Sequence, residues 1–151
     1  MMIQLLFIGK TKEKYVSEGM EDFLARLKRF IRVDVHELPD EKITNDTAAV
    51  KDKEGERILA ARKEESYLVC LDEHGRQMSS LEFAAFMKKA EMRDITFAVG
   101  GALGHSSRVI ARADLLLSFS KMTFNHQMVR LFLAEQLYRA YAINRNIPYH
   151  K

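Results

Sequence analysis

A chain of 151 residues, 47% of them apolar, can bury one substantial core and is short for more than one domain. A net charge of +3, a single cysteine and the lack of any apolar run of about eighteen residues exclude a disulfide-stapled scaffold, a membrane-spanning helix and a highly charged disordered chain. The apolar start Met1–Ile8 has no basic lead and no small-residue exit, so it reads as a first strand rather than a secretory leader, and the expected compartment is the cytoplasm.

Residues 2–8 predict a strand closed by Gly9. Residues 12–30 predict a helix, with Val16, Met20, Phe23, Leu24 and Leu27 on one face at helical spacing. Ile31 to Leu38 alternates and is rich in β-branched residues, which predicts a strand stopped at Pro39. After a polar loop over 39–47, Thr47 to Arg62 predicts a second helix. Ser66 to Leu71 is a short apolar run of the kind found in buried parallel strands, and Asp72-Glu73-His74-Gly75 reads as the turn after it. Ser79 with Glu82 is a capping box that starts a helix near Ser80. A strand over 95–99 runs into Gly100-Gly101-Ala102-Leu103-Gly104, then a short helix ends at Ala113. The strand 115–120 leads to a loop and a helix from about His126 to Ile143. Asn125 is suited to cap that helix, and Pro148 keeps the following residues out of it.

Strands and helices alternate throughout, which predicts an α/β fold with a mostly parallel sheet covered on both faces. Ligands in such sheets sit at the carboxyl ends of the strands, so the loops that start at Leu71, Gly100 and Phe119 are the candidate site. Glycines after a strand let a ligand approach the backbone closely. The pattern is not GxGxxG and lacks the Lys-Ser/Thr of a phosphate-binding loop. His126 falls at a helix N-terminus, where the macrodipole favours a neutral imidazole able to accept a proton. From Lys121 onward Lys121, Arg130, Arg139, Arg145 and Lys151 face Glu135 alone, a basic excess that suits a polyanionic partner. Each feature alone has an ordinary structural reading as a tight turn, a helix cap or a solvated face. His36, His74 and His105 are isolated, with no metal-ligand spacing, and no metal is expected. Cys70 in its apolar run reads as a buried, inert thiol.

Taken together the residues resemble a known family. The stretch Leu6-Phe7-Ile8-Gly9-Lys10, the helix around Asp52–Leu59, Gly100-Gly101-x-x-Gly104, Leu117 to Phe124, then His126, Arg130, Glu135, Tyr138-Arg139-Ala140 and Tyr149-His150-Lys151 are similar, over essentially the whole chain, to the SPOUT-class methyltransferases of large-subunit ribosomal RNA. The resemblance implies one methyltransferase domain over 1–151, a trefoil knot in the C-terminal segment, and a homodimer in which each pocket is completed by the partner. It implies S-adenosyl-methionine bound at Leu71, at Gly100 and along Phe119, Ser120, Lys121, Met122, Thr123 and Phe124. It implies methylation of N3 of a pseudouridine in a hairpin loop of 23S rRNA, on assembled ribosomes.

On that resemblance His126, or Tyr149 and His150, would take the departing proton. Arg130 and Arg139 would hold phosphates or the developing charge on the base, with Lys121 as a further phosphate contact. The family usually carries proline where this chain has Asn125; asparagine caps a helix but does not fix φ, so a looser loop is expected here. Two other readings stay open: a non-catalytic rRNA-binding module on the same fold, and a nucleotide-dependent oxidoreductase, against which the missing GxGxxG counts.

Overall fold

The computed structural model describes residues 1–151. The elements in chain order are β1 (Met2–Ile8), α1 (Lys14–Leu27), β2 (Arg32–Leu38), α2 (Thr47–Ala61), β3 (Tyr67–Gln77), α3 (Ser80–Ala90), β4 (Ile95–Val99), α4 (Ser107–Arg112), β5 (Leu115–Ser118) and α5 (His126–Asn144). All strand pairs are parallel, in the order β2-β1-β4-β3-β5. The expected α/β architecture is met, and so is the Ser79–Glu82 capping box that starts α3.

Alternation along β1 explains why both sheet faces are covered. Ile3, Leu5 and Phe7 point into the larger core with Phe97 and Val69, beneath α1, α3 and α5. Leu6 and Ile8 point the other way, against Cys70, Ala98, Ile58 of α2 and Val109 of α4. Each such side chain, fully removed from water, contributes about 1.5–3 kcal/mol. Cys70 is buried among apolar groups and its thiol is pushed up to about 12, which keeps it unreactive. At the amino ends of the strands a closed polar network links Gln4, Ser66 and Thr96: Thr96 donates to Gln4 at 2.9 Å, and the two hydroxyls of Ser66 and Thr96 are 2.7 Å apart. No helix is long and apolar enough to cross a membrane.

The segment 72–75, expected as a turn that ends the strand, instead continues β3 through a bulge. Leu71 and Arg76 both pair with Leu117, so the four residues between them are looped out of register. Gly75 makes this possible: a Cβ there would come within 2.6 Å of the Leu116 carbonyl group, which cannot move aside. The bulge carries Asp72, Glu73 and His74 to the carboxyl edge of the sheet. β5 ends earlier than expected, at Ser118, whose hydroxyl lies 3.0 Å from the Glu73 carbonyl oxygen and 2.8 Å from that of Ser120, turning the chain outward.

Candidate active site

The three loops singled out from the sequence converge at the carboxyl ends of β3, β4 and β5. Leu71 to His74, Val99 to His105, Leu117 to Ser120 and Met122 to His126 line a cavity of about 660 Å³, with Lys51, Ile110 and Val129 completing it. Of the residues expected to hold a cofactor, Leu71, Gly100, Phe119, Ser120, Met122, Thr123 and Phe124 all lie on this wall. Lys121 does not: it faces a neighbouring shallow recess with Glu73, His74 and Thr123.

Local chemistry fixes each loop. The glycine turn closes on itself through the Gly104 N–H and the Gly101 carbonyl at 3.0 Å, with Gly104 at φ +83°. A Cβ on Gly100 would stand 3.0 Å from the Gly104 backbone, and one on Gly101 would meet Glu54 and Ile8, so both positions require the absence of a side chain. Ser106 then caps α4 by accepting from Val109 N–H at 3.2 Å. In the following loop the Ser120 hydroxyl accepts from the Met122 N–H at 3.0 Å, and Thr123 donates to Glu73, tying the loop to the bulge of β3. Asn125 caps α5 twice, accepting from Gln127 N–H at 2.8 Å and Met128 N–H at 3.0 Å. Its φ of −64° is the value a proline ring imposes, so the geometry that proline would fix covalently is held here by two hydrogen bonds.

His126 opens α5 at the cavity wall, half-buried. Burial first, then the charges of Arg130 and Lys12, hold its imidazolium below the usual range, against a smaller opposing pull from Asp40. A neutral imidazole is thus favoured, as the helix position alone suggested. The next residue, Gln127, clamps the loop that follows β1: its amide donates to the Lys10 carbonyl at 3.0 Å and accepts from the Lys12 N–H at 2.9 Å.

Arg130 corrects the sequence reading. It was expected to reach a phosphate, yet it is 0% exposed. Its guanidinium donates to the carbonyls of Ile8 at 2.7 Å and Gly9 at 3.0 Å and to the Thr11 hydroxyl at 2.9 Å, and it sits 4.9 Å from the centre of the Phe7 ring. Those carbonyls end β1 with no further strand to bind them, and a planar, many-donor cation satisfies several at once. Arg130 is a structural bolt between the first strand and the last helix.

Arg139, Tyr149 and His150 form a separate group around Glu135. Arg139 donates to Glu135 at 3.0 Å, the Tyr149 hydroxyl donates to the same oxygen at 2.8 Å, and Arg139 also bonds His150 Nδ1 at 3.0 Å. The Tyr149 ring packs edge-on against Tyr138. Burial and the adjoining carboxylate push the Tyr149 phenol above its ordinary value, which favours its protonated form. Arg139 lies thirteen positions along α5 from His126, about 20 Å at ~1.5 Å each. One chain therefore does not bring these two sets of residues together.

Lys51, Ile110 and Val129, brought to the cavity by α2, α4 and α5, were not singled out by sequence reasoning, since no local signal announces them. His105 was set aside as isolated, yet it is buried at the cavity wall, its ring beside the backbone of Ala98 and Leu71. Its position directly after Gly104 was the available signal.

Comparison with known proteins places this geometry. The family described as "Predicted SPOUT methyltransferase" matches residues 1–150. Proteins named ribosomal RNA large subunit methyltransferase H, from Clostridium acetobutylicum and Clostridioides difficile, are 43% and 44% identical to this chain, with 100% of both chains covered in each case. Among solved structures, a probable methylase family protein from Haemophilus influenzae Rd KW20 superposes with a TM-score of 0.54 at 12% identity, over 95% of this chain and 66% of that longer one.

Proposed function

The chain belongs to the SPOUT methyltransferase family, and from that premise we propose that it methylates N3 of a pseudouridine in a hairpin loop of 23S rRNA, on assembled ribosomes in the cytoplasm, using S-adenosyl-methionine. The observation that carries the reading is the cavity where the ends of β3, β4 and β5 meet, in a chain whose full-length relatives are named as rRNA methyltransferases.

The residues present fit the cofactor. Gly100 and Gly101 give the wall its backbone, and Leu71, Val99, Leu117 and Phe119 supply apolar wall beside polar Ser120, Thr123 and Asp72. When bound, the cofactor supplies a methyl group on a sulfonium, already activated for displacement. The chain's own part is to position the base, take its proton and manage charge. His126, neutral at the cavity wall, accepts the N3 proton. The negative charge that builds on the base is offset by Arg139, with His150 held against it. Since Arg139, far along α5, and His150, beyond its end, lie away from His126 in the same chain, they reach the site from a second copy, which makes the working form a homodimer. Half-buried Met128, Leu131 and Phe132 on α5, with exposed Met122 and Phe124 beside them, offer that copy an apolar face next to the cavity. With Arg130 enclosed, phosphate contacts fall to the exposed cations Lys12 and Lys121 at the rim. The trefoil knot expected of the family would be threaded by the segment from the glycine turn to α5, and residues 1–151 would act as one domain.

The test is transfer of labelled methyl from S-adenosyl-methionine to ribosomes lacking the modification, with the labelled nucleotide mapped. Label on N3 of a large-subunit pseudouridine is the expected result; label on another nucleotide, or none, refutes the target or the activity.

A further inference from the structure

Two side chains of opposite charge line the cavity without pairing with each other. Leu68 and Cys70 of β3 turn toward α2 and α4, and two residues on Asp72 continues that side of the strand at the cavity wall. The Asp72 side chain is only 18% exposed. One carboxylate oxygen, Oδ1, is fixed by the His74 N–H at 2.8 Å; the other, Oδ2, takes no hydrogen bond within the chain and yet remains accessible. Lys51 reaches the same wall from α2, half-buried, and is the only lysine or arginine on it. It belongs to none of the chain's ion pairs. The other carboxylate of the wall, Glu73, is already engaged by the Thr123 hydroxyl.

Water can satisfy an accessible carboxylate or ammonium, so neither group demands a ligand by itself. Their joint placement is what selects one. They come from separate elements, carry opposite charges and stand on one ligand-sized cavity beside apolar Leu71, Val99 and Ile110, where charge is less screened than in bulk water. A phosphate would gain Lys51 and be repelled by Asp72 and Glu73. A simple cation would gain the carboxylates and be repelled by Lys51. A ligand with a positive and a negative group on the same short segment meets both at once.

We propose that Asp72 and Lys51 bind the amino-acid end of the cofactor, Asp72 taking its ammonium group and Lys51 its carboxylate. The inference rests on the reading of this cavity as the S-adenosyl-methionine site, and it adds which end of that ligand the charged side chains hold. The glycine turn and the apolar wall are then left to the uncharged nucleoside, which needs surface and hydrogen bonds rather than ions.

The test compares two probes by calorimetry on the full chain. S-adenosyl-homocysteine keeps the zwitterion; 5′-methylthioadenosine has the same nucleoside and sulfur but no amino acid. Asp72→Asn and Lys51→Met each remove a charge at nearly constant volume, and asparagine can still accept from the His74 N–H. Each variant should bind S-adenosyl-homocysteine about tenfold or more weakly, the size of a lost hydrogen bond to a charged group, while methylthioadenosine binds within about twofold of its native affinity. Equal losses for both probes would mean that the two residues only shape the cavity, and they overturn the proposal, as does a loss confined to one variant or no loss in either. The native protein supplies a check that needs no variant to fold: it should prefer S-adenosyl-homocysteine to methylthioadenosine by about tenfold or more, and equal affinities overturn the proposal. Failure of the native protein to bind either probe is a different result: it overturns the cofactor reading itself, and this inference with it.

Discussion

The Arg139 guanidinium lies 3.0 Å from Nδ1 of His150, and because a guanidinium only donates, that nitrogen is the acceptor. A neutral His150 therefore carries its proton on Nε2, the nitrogen turned away from Arg139. Glu135 in turn receives both Arg139 and the Tyr149 hydroxyl on one oxygen. The tail after α5 is thus an ordered, charge-matched unit, held ready at a distance from its own chain's cavity.

If that unit serves a neighbouring chain, two inactive variants should complement each other. His126→Ala and Arg139→Ala homodimers are each expected to lose most methyl transfer. Mixing them after partial unfolding and reassembly should restore roughly a quarter of native activity, because about half of the dimers are mixed and each has one intact composite site. No recovery, with mixed dimers demonstrated by mass, would mean that the two residues work within one chain or not at all.

Arg130 is expected to matter for stability rather than for RNA. Arg130→Met leaves the Ile8 and Gly9 carbonyls without donors and should cost about 3 kcal/mol in urea unfolding, at about 1–3 kcal/mol per buried unpaired group. Arg130→Lys, a single ammonium on a flexible stem, should recover only part. A Met variant that unfolds like the native protein but binds rRNA less tightly would restore the phosphate role denied above.

His126 gives a pH prediction with a definite sign. Its folded-state value is held below the ordinary 6.5 by burial, Arg130 and Lys12. The base form thus persists to lower pH than in a free histidine, and the acid limb of kcat/KM should fall below 6.5. Lys12→Ala removes one of those cations and should move the limb upward; a limb that stays in place would take Lys12 out of the site. For stability, a depressed folded value means that the unfolded chain takes up the proton first. His126 should leave stability unchanged above about pH 6.5 and lower it as pH falls from there. His126→Ala should flatten that part of the curve.

The glycine turn should tolerate no side chain at Gly100. Gly100→Ala sets a methyl 3.0 Å from the Gly104 backbone and 3.3 Å from His105, and backbone cannot swing aside as a side-chain tip can. The expected effect is an S-adenosyl-homocysteine affinity at least about tenfold weaker, with a loss of no more than about 1–2 kcal/mol in global stability. Equal affinity would mean that the ligand does not rely on this turn.

The order of elements was legible because both faces of the sheet are covered, which leaves the strands as plain apolar runs between amphipathic helices. The cavity loops were legible for the same topological reason: in a parallel sheet the ends of neighbouring strands must meet. What local pattern could not give was anything decided by distant partners. Asp72 to Gly75 has the composition of a turn, and only the pairing of Arg76 with Leu117 makes it a bulge. Arg130 has the residue type of an anion contact, and only the carbonyls of Ile8 and Gly9, more than a hundred residues away, make it structural. The backbone at Asn125 was not legible either: its φ of −64° and its two cap hydrogen bonds set it where a proline ring would.

The bolt between Arg130 and the end of β1 also orders events in time. It spans 122 positions, and β1 takes its inner neighbour from β4, with Ile3 opposite Ile95. During synthesis the first strand leaves the ribosome long before either of these partners exists, so only its outer edge can pair, with β2, until β4 follows, and the sheet closes only when α5 has been made. Folding should accordingly be slow and late, with early chains prone to clumping or to capture by chaperones. Nascent chains arrested before residue 130 should be open to protease at β1, and chains released beyond α5 should be protected.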